Sequence, residues 1–291
     1  MEAAELLKKV RKIEIRTRGL SSHIFSGEYH SAFKGRGMAF SEVREYQVGD
    51  EIRLIDWNVT ARFNHPYIKV FDEERELTVM LLIDVSNSGK FGTQTQFKNE
   101  LITELSAVLA FSALQNNDKI GVILFSDIIE KFIPPKKGRT HILRIIRELL
   151  EFKPQRQGTN LTEALRYLIN VIKKRCIVFV LSDFLSSDFD DALKISNKKH
   201  DTIAVQIFDR RESEIPDIGL VCLQDAETGQ LVWADTSSSA MKDNYFLWWN
   251  QKQSYLSESF NKSKVAVIRI RTDQSYVAPL MNFFKQRGRR R

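Results

Sequence analysis

The chain has 291 residues, enough for one α/β domain of roughly 200 residues and a smaller appended part. Its 43% hydrophobic and 28% charged residues exclude wholesale disorder, and no apolar run reaches the ~18 residues that span a bilayer. The formal charge of +7 is concentrated in Lys285, Arg287, Arg289, Arg290 and Arg291, which read as a solvated tail rather than a broad basic face.

Residues 1–18 alternate charged and apolar positions and lack a signal-peptide core. The two cysteines, Cys176 and Cys222, sit in apolar runs and read as buried free thiols of a reducing compartment. A cytoplasmic protein is expected, at most peripheral at a membrane. In residues 27–75, Gly27, Gly35, Gly37 and Gly49 punctuate turns. Arg44, Asp50, Arg53, Asp56 and Arg62 lie close to Tyr46, Trp57 and Phe63. Two readings fit: a salt-bridged aromatic lid packed on the following domain, or a docking face whose arginines take a partner's carboxylates.

From residue 76 the pattern alternates. Residues 78–83 form a nearly all-apolar strand, followed by a helix from Phe97 to Leu114 with one stripe through Leu101, Leu105, Val108, Leu109, Ser112 and Ala113. A second buried strand spans 119–125, and Ile128–Ile133 reads as a short edge strand ended by Pro134-Pro135. Helices follow over Ile142–Phe152 and Leu161–Ile172, then a strand over Cys176–Leu181, a helix over Asp190–Lys198 and a strand over Ile203–Phe208. A hairpin pairs Leu220–Leu223 with Leu231–Trp233 about Thr228-Gly229. Residues 240–260 read as a helix with apolar positions Phe246, Trp249, Leu256 and Phe260, before a last strand over Val265–Ile270 and a last helix over Tyr276–Phe284. This order predicts a doubly wound, mostly parallel sheet over 76–291, with a hairpin insertion near 217–236 and an N-terminal segment, 1–75, packed on it. Such sheets bind ligands beyond the carboxyl ends of their strands, where the strand order reverses.

Polar residues stand at those ends. Asp84-Val85-Ser86-Asn87-Ser88 follows the first buried strand, Asp183 follows the third, and Thr159 precedes a helix after Gly158. Taken singly, each is an ordinary cap or turn former. Together, two carboxylates and three hydroxyls at one sheet edge suit a hard dication. Mg2+ prefers oxygen ligands and keeps several waters, and Mn2+ or Ca2+ would find similar donors. A partner's carboxylate could complete such a shell.

Asp-x-Ser-x-Ser with a later Thr and a later Asp resembles the metal-ion-dependent adhesion motif of von Willebrand factor A domains. Gly27-Glu28-Tyr29-His30-Ser31, Gly35-Arg36-Gly37, Arg44-Glu45-Tyr46-Gln47-Val48-Gly49-Asp50, Arg53-Leu54-Ile55-Asp56-Trp57, Ala61-Arg62 and Ser182-Asp183-Phe184 are similar to the signature of the domain-of-unknown-function-58 family. This similarity covers essentially the whole chain. It departs from the common pattern at Val48, where proline is frequent, and at Gly89, where adhesion motifs often carry methionine. The resemblance implies that Ser86, Ser88 and Thr159 ligate the metal, with Asp84 and Asp183 acting directly or through water. It further implies a protein partner of the MoxR-type AAA+ ATPase kind, with this chain as adaptor.

Several chemistries lack their motifs. There is no P-loop, no nucleophile elbow and no zinc-type pairing among His23, His30, His65, His141 and His200. The chain is expected to be a non-enzymatic interaction module that binds no nucleotide. Its rivals are a metal-dependent phosphoester or peptide hydrolase, with Asp84 as nucleophile, and binding of nucleic acid or anionic membrane by the arginine-rich tail.

Overall fold

A computed structural model describes residues 10–15, 17, 39–72, 76–92, 96–186, 188–225 and 229–289. The motifs at Gly27–Ser31 and Gly35–Gly37, Thr228 in the hairpin turn, and Arg290 and Arg291 lie outside the described residues. The chain divides into one unit within residues 33–77 and a larger one formed by the rest.

In the smaller unit, β1 (Ala39–Glu45) pairs antiparallel with β2 (Tyr67–Asp72), with an irregularity between Phe40 and Glu42. Between them runs α1 (Trp57–Phe63), capped by Asp56, which accepts from Asn58 N and Val59 N at 3.0 and 3.3 Å. The helix ends in a left-handed Asn64, a residue tolerant of that conformation.

The larger unit holds a six-stranded sheet. Its strands are β3 (Thr78–Asp84), β4 (Lys119–Phe125), β5 (Ile129–Lys136), β6 (Ile177–Ser182), β7 (Asp201–Phe208) and β10 (Ala266–Arg271), in the order β10-β7-β6-β3-β4-β5. All pairings are parallel except β4–β5. The near-continuous apolar runs of β3, β4, β6 and β7 are buried on both faces, as a sheet covered by helices on both sides requires. On one face Met80, Leu82, Ile123, Phe125, Val178 and Val180 pack with Leu165, Leu193, Leu256 and Phe260. These last belong to α4 (Leu161–Val171), α5 (Asp190–Lys199) and α7 (Ser239–Ser263). The alternate residues of the strands turn to the other face, toward α2 (Lys98–Gln115) and α3 (Arg139–Glu151). Helix α8 (Val277–Arg289) packs beside β10. The helical stretch at 10–15 also belongs to this unit, and Glu14 pairs with Arg139 at 2.5 Å.

Five sequence expectations need correction. Strand β5 does not stop before the prolines; it runs on to Lys136, tolerated because it is an edge strand, with a register shift between Ile120 and Val122. At that shift Gly121 meets the edge strand's backbone: a Cβ there would lie 2.8 Å from Pro135 N and 2.9 Å from Ile133 O. Helix α2 has no single apolar stripe. It is buried nearly all round, from Lys98 to Ala113. Phe246 is exposed while Trp249, Leu256 and Phe260 are buried. Cys222 is exposed, because it lies on the hairpin of β8 (Leu220–Gln224) and β9 (Leu231–Asp235), which stands clear of the core. Finally, the basic segment is helical as far as Arg289, and while Lys285 and Arg289 are exposed, Arg287 is held by Asp201.

Among the described residues no helix is long and apolar enough to cross a membrane.

Candidate functional site

The chain runs from β3 to β4 on one side, then returns by β6 to the other side of β3. The strand order therefore reverses between β3 and β6, and a crevice must open beyond their carboxyl ends. Asp84 closes β3 and Ser182 closes β6, with Asp183 next. Ser182 Oγ donates to Asp84 Oδ2 at 2.7 Å and ties the two strand ends together. Asp84 Oδ1 accepts from Ser86 N at 3.0 Å, and this tight turn sends the chain into the short 3-10 helix Asn87–Lys90. The turn brings Ser86 Oγ within 3.0 Å of Ser88 Oγ. Ser88 lines the same crevice as the Asp183 carboxylate and helps to hold that carboxyl down.

Asp84, Ser88, Gly89, Lys98, Ile102, Ser182, Asp183 and Ile207 line a crevice of about 10 Å³, room for one water-sized occupant. Asp84, Ser86 and Asp183 are buried and Ser88 is half-buried. Of the five residues expected from the sequence, Asp84, Ser88 and Asp183 line the crevice, and Ser86 joins them through its contact with Ser88 Oγ. Thr159 is not among those lining the crevice. Its loop runs alongside, since Asn87 N donates to Gln157 O at 3.0 Å. The cap of α4 is Asn160, which accepts from Glu163 N at 3.0 Å. Gly89 leaves room for Asn99 of α2, whose Oδ1 would lie 2.0 Å from any Cβ built there.

Sequence reasoning missed a cation. Lys98, at the first position of α2, is 2% exposed as a side chain. Its Nζ donates to Asp183 Oδ2 at 2.9 Å and to Glu212 Oε1 at 2.5 Å. Glu212 belongs to α6 (Arg210–Ser213), the single turn after β7, where its other oxygen accepts from Asp209 N at 2.8 Å in a capping box. A signal for Lys98 was available: it lies three and seven residues before Leu101 and Leu105, on the side of the helix that must be buried. A lysine there needs carboxylate partners, because an unpaired buried ammonium is costly.

The charges divide unequally. Burial, then the charge of Asp183, pushes Asp84 up to about 6 despite bonds from Ser86 and Ser182. Burial would raise Asp183 too, but the Lys98 ammonium outweighs it and holds this carboxyl below its usual range. For Lys98, burial opposes the charged form and the two carboxylates more than restore it. Glu212 stays raised by burial, which Lys98 only partly offsets. The oxygen-only donor set suits a hard dication, with Asp84, Ser86 and Ser88 able to hold it. No cluster of three or more His, Cys, Asp or Glu of the metal-holding kind occurs among the described residues.

The residues marked for partner docking lie in the smaller unit. Arg44 and Asp50 form a two-pronged pair at 2.9 and 2.7 Å, and Asp56 both caps α1 and pairs with Lys69 at 3.3 Å. These three therefore have structural work within their own unit. Arg53, Trp57 and Arg62 are exposed, Trp57 at 68%.

The chain is 26% identical over 288 residues to the uncharacterized protein Rv1480 of Mycobacterium tuberculosis, covering 98% of this chain and 90% of that one. The uncharacterized protein Mb1516 of Mycobacterium bovis matches to the same extent, 26% over 288 residues with 98% and 90% covered. The uncharacterized protein YeaD of Bacillus subtilis is 29% identical over 110 residues, 38% of this chain and 25% of that one. Among solved structures, the conserved hypothetical protein BatB of Bacteroides thetaiotaomicron is similar with a TM-score of 0.48 and 15% identity, covering 73% of this chain and 99% of that one. The SpRpn10 VWA domain is similar with a TM-score of 0.41 and 10% identity, covering 72% and 95%. Residues 42–254 match the family described as "Protein of unknown function DUF58", and the chain belongs to it.

Proposed function

We propose that the chain is a non-enzymatic, metal-dependent protein-interaction module whose working part is the crevice between β3 and β6. The observation that carries this reading is the convergence of Asp84, Ser86, Ser88 and Asp183 at the one place where the sheet's strand order reverses. Asp84, Ser86 and Ser88 would hold Mg2+, with Asp183 behind them, and the bound ion would supply an open coordination position for a partner's carboxylate. The chain's own residues keep the donors fixed. Ser182 orients Asp84, the 3-10 turn presents both serine hydroxyls, and Lys98 anchors Asp183.

A binding role suits the other reactive groups better than catalysis. Cys176 lies 3.3 Å from His200 Nδ1, but this pair is buried at the opposite ends of β6 and β7. Burial pushes the thiol up to about 12, and burial with Lys199 and Arg175 pushes the imidazole down to about 4. Neither is poised for proton transfer near neutral pH. The partner in this reading is a MoxR-type AAA+ ATPase, to which the chain serves as adaptor, and the cytoplasm is the compartment.

The test is binding of the full chain to such an ATPase in Mg2+ and in EDTA, by calorimetry or co-purification. Binding should require Mg2+ and be lost in Asp84→Ala and Ser86→Ala. Equal affinity in EDTA overturns the mechanism.

A further inference from the structure

The crevice already contains a positive charge, and it is attached to the chain. Lys98 reaches the site from the first turn of α2 with its stem buried against the core, and its ammonium lies between Asp183 and Glu212. This contact is built from both sides. Glu212 is fixed by the capping box of α6, and Asp209, which closes that box, accepts from Arg211 N at 2.8 Å and from Thr272 Oγ1 at 2.5 Å. Asp183 is held by Leu185 N at 3.2 Å. Neither acid can swing away without undoing a turn.

We propose that Lys98 is a tethered cation that supplies positive charge beside the site when no dication is bound, opposes the dication through the Asp183 carboxylate that stands between them, and so makes the site weak and exchangeable. This rests on the reading of the crevice as a Mg2+ site. With Asp84, Asp183 and Glu212 all ionised, the local charge is minus two when Lys98 is counted; an arriving dication brings it to zero. Without Lys98 the same acids carry minus three, and the dication is opposed by no neighbouring ammonium. At a few ångströms in a partly desolvated site, one unit charge changes cation affinity by well over tenfold. The ammonium also explains how a crevice with two buried acids, beside the half-buried Glu212, remains folded without metal, since burying carboxylates with no countercharge is strongly unfavourable.

The experiment is Mg2+ titration of the full chain by calorimetry, with thermal melts in Mg2+ and in EDTA, for wild type, Lys98→Met and Glu212→Gln. Lys98→Met should bind Mg2+ at least about tenfold more tightly than wild type, and its melting temperature should respond to Mg2+ more strongly. Glu212→Gln keeps the ammonium and removes one acid, so it should bind at least about tenfold more weakly. If Lys98→Met folds only in Mg2+, that supports the proposal. If it folds in neither condition, Glu212→Gln decides, and an affinity equal to wild type overturns it. Wild type and both variants binding Mg2+ alike defeats the inference and leaves the metal-site reading standing. No Mg2+ binding by wild type or Lys98→Met at millimolar concentration defeats both.

Discussion

Asparagine at position 84 should stabilise the metal-free protein, although Asp84 heads the motif. In the buried turn after β3 the Asp84 carboxyl is pushed from 3.8 up to about 6. A rise of about two units corresponds to about 3 kcal/mol of unfavourable ionisation at pH 8. The sign follows from the direction of the shift: the folded state holds this proton more tightly than the unfolded one, so stability is lost as pH rises from about 4 through about 6. Asparagine cannot ionise and still accepts from Ser86 N, but it disturbs the bond from Ser182, worth about 1 kcal/mol. The net gain is about 2 kcal/mol, or about 4–8 °C in melting temperature for a domain of this size. Asp183→Asn should act in the opposite direction, because it leaves the buried Lys98 with Glu212 alone; a loss of about 3 kcal/mol is expected. Melts in EDTA at pH 8 measure both, and a repeat at pH 4 should erase the advantage of Asp84→Asn. If Asp84→Asn melts below wild type at pH 8, or both variants shift the same way, this account of the charges is wrong.

Three further outcomes are expected. Because Asp84 must lose its proton to serve as a ligand, Mg2+ affinity by calorimetry should be flat above pH 7 and fall about tenfold per unit well below pH 6. Cys222 should react with a thiol reagent in the native protein, whereas Cys176, buried and pushed up to about 12, should react only on unfolding. Gly121→Ala should cost about 1–3 kcal/mol in denaturant melts, since its methyl group meets Pro135 N and Ile133 O at under 3 Å and the edge strand must move.

The sheet was legible because its central strands are short, apolar and separated by helical segments, and such runs bury only as parallel strands under helices. Placement of Asp84 and Asp183 at the strand ends then followed from topology alone. Less visible was anything fixed by contacts between segments distant in sequence. Lys98 and Glu212 are 114 residues apart and meet only because α2 begins where β7 ends. The prolines of β5 looked like a stop, yet an edge strand has one side without a ladder and tolerates them. Cys222 and Phe246 looked like core because hydrophobicity says what favours burial, not whether a neighbour is there to provide it.

The proline pair has a consequence at the scale of many molecules. An exposed sheet edge offers the next chain a template for further addition, and growth of that kind leads to fibres. Two consecutive residues without amide hydrogens, set in a strand whose register is already broken, make the β5 rim a poor template. Replacing both with residues of high strand propensity would remove that protection and should raise the tendency to aggregate while leaving the crevice, two strands further into the sheet, chemically untouched.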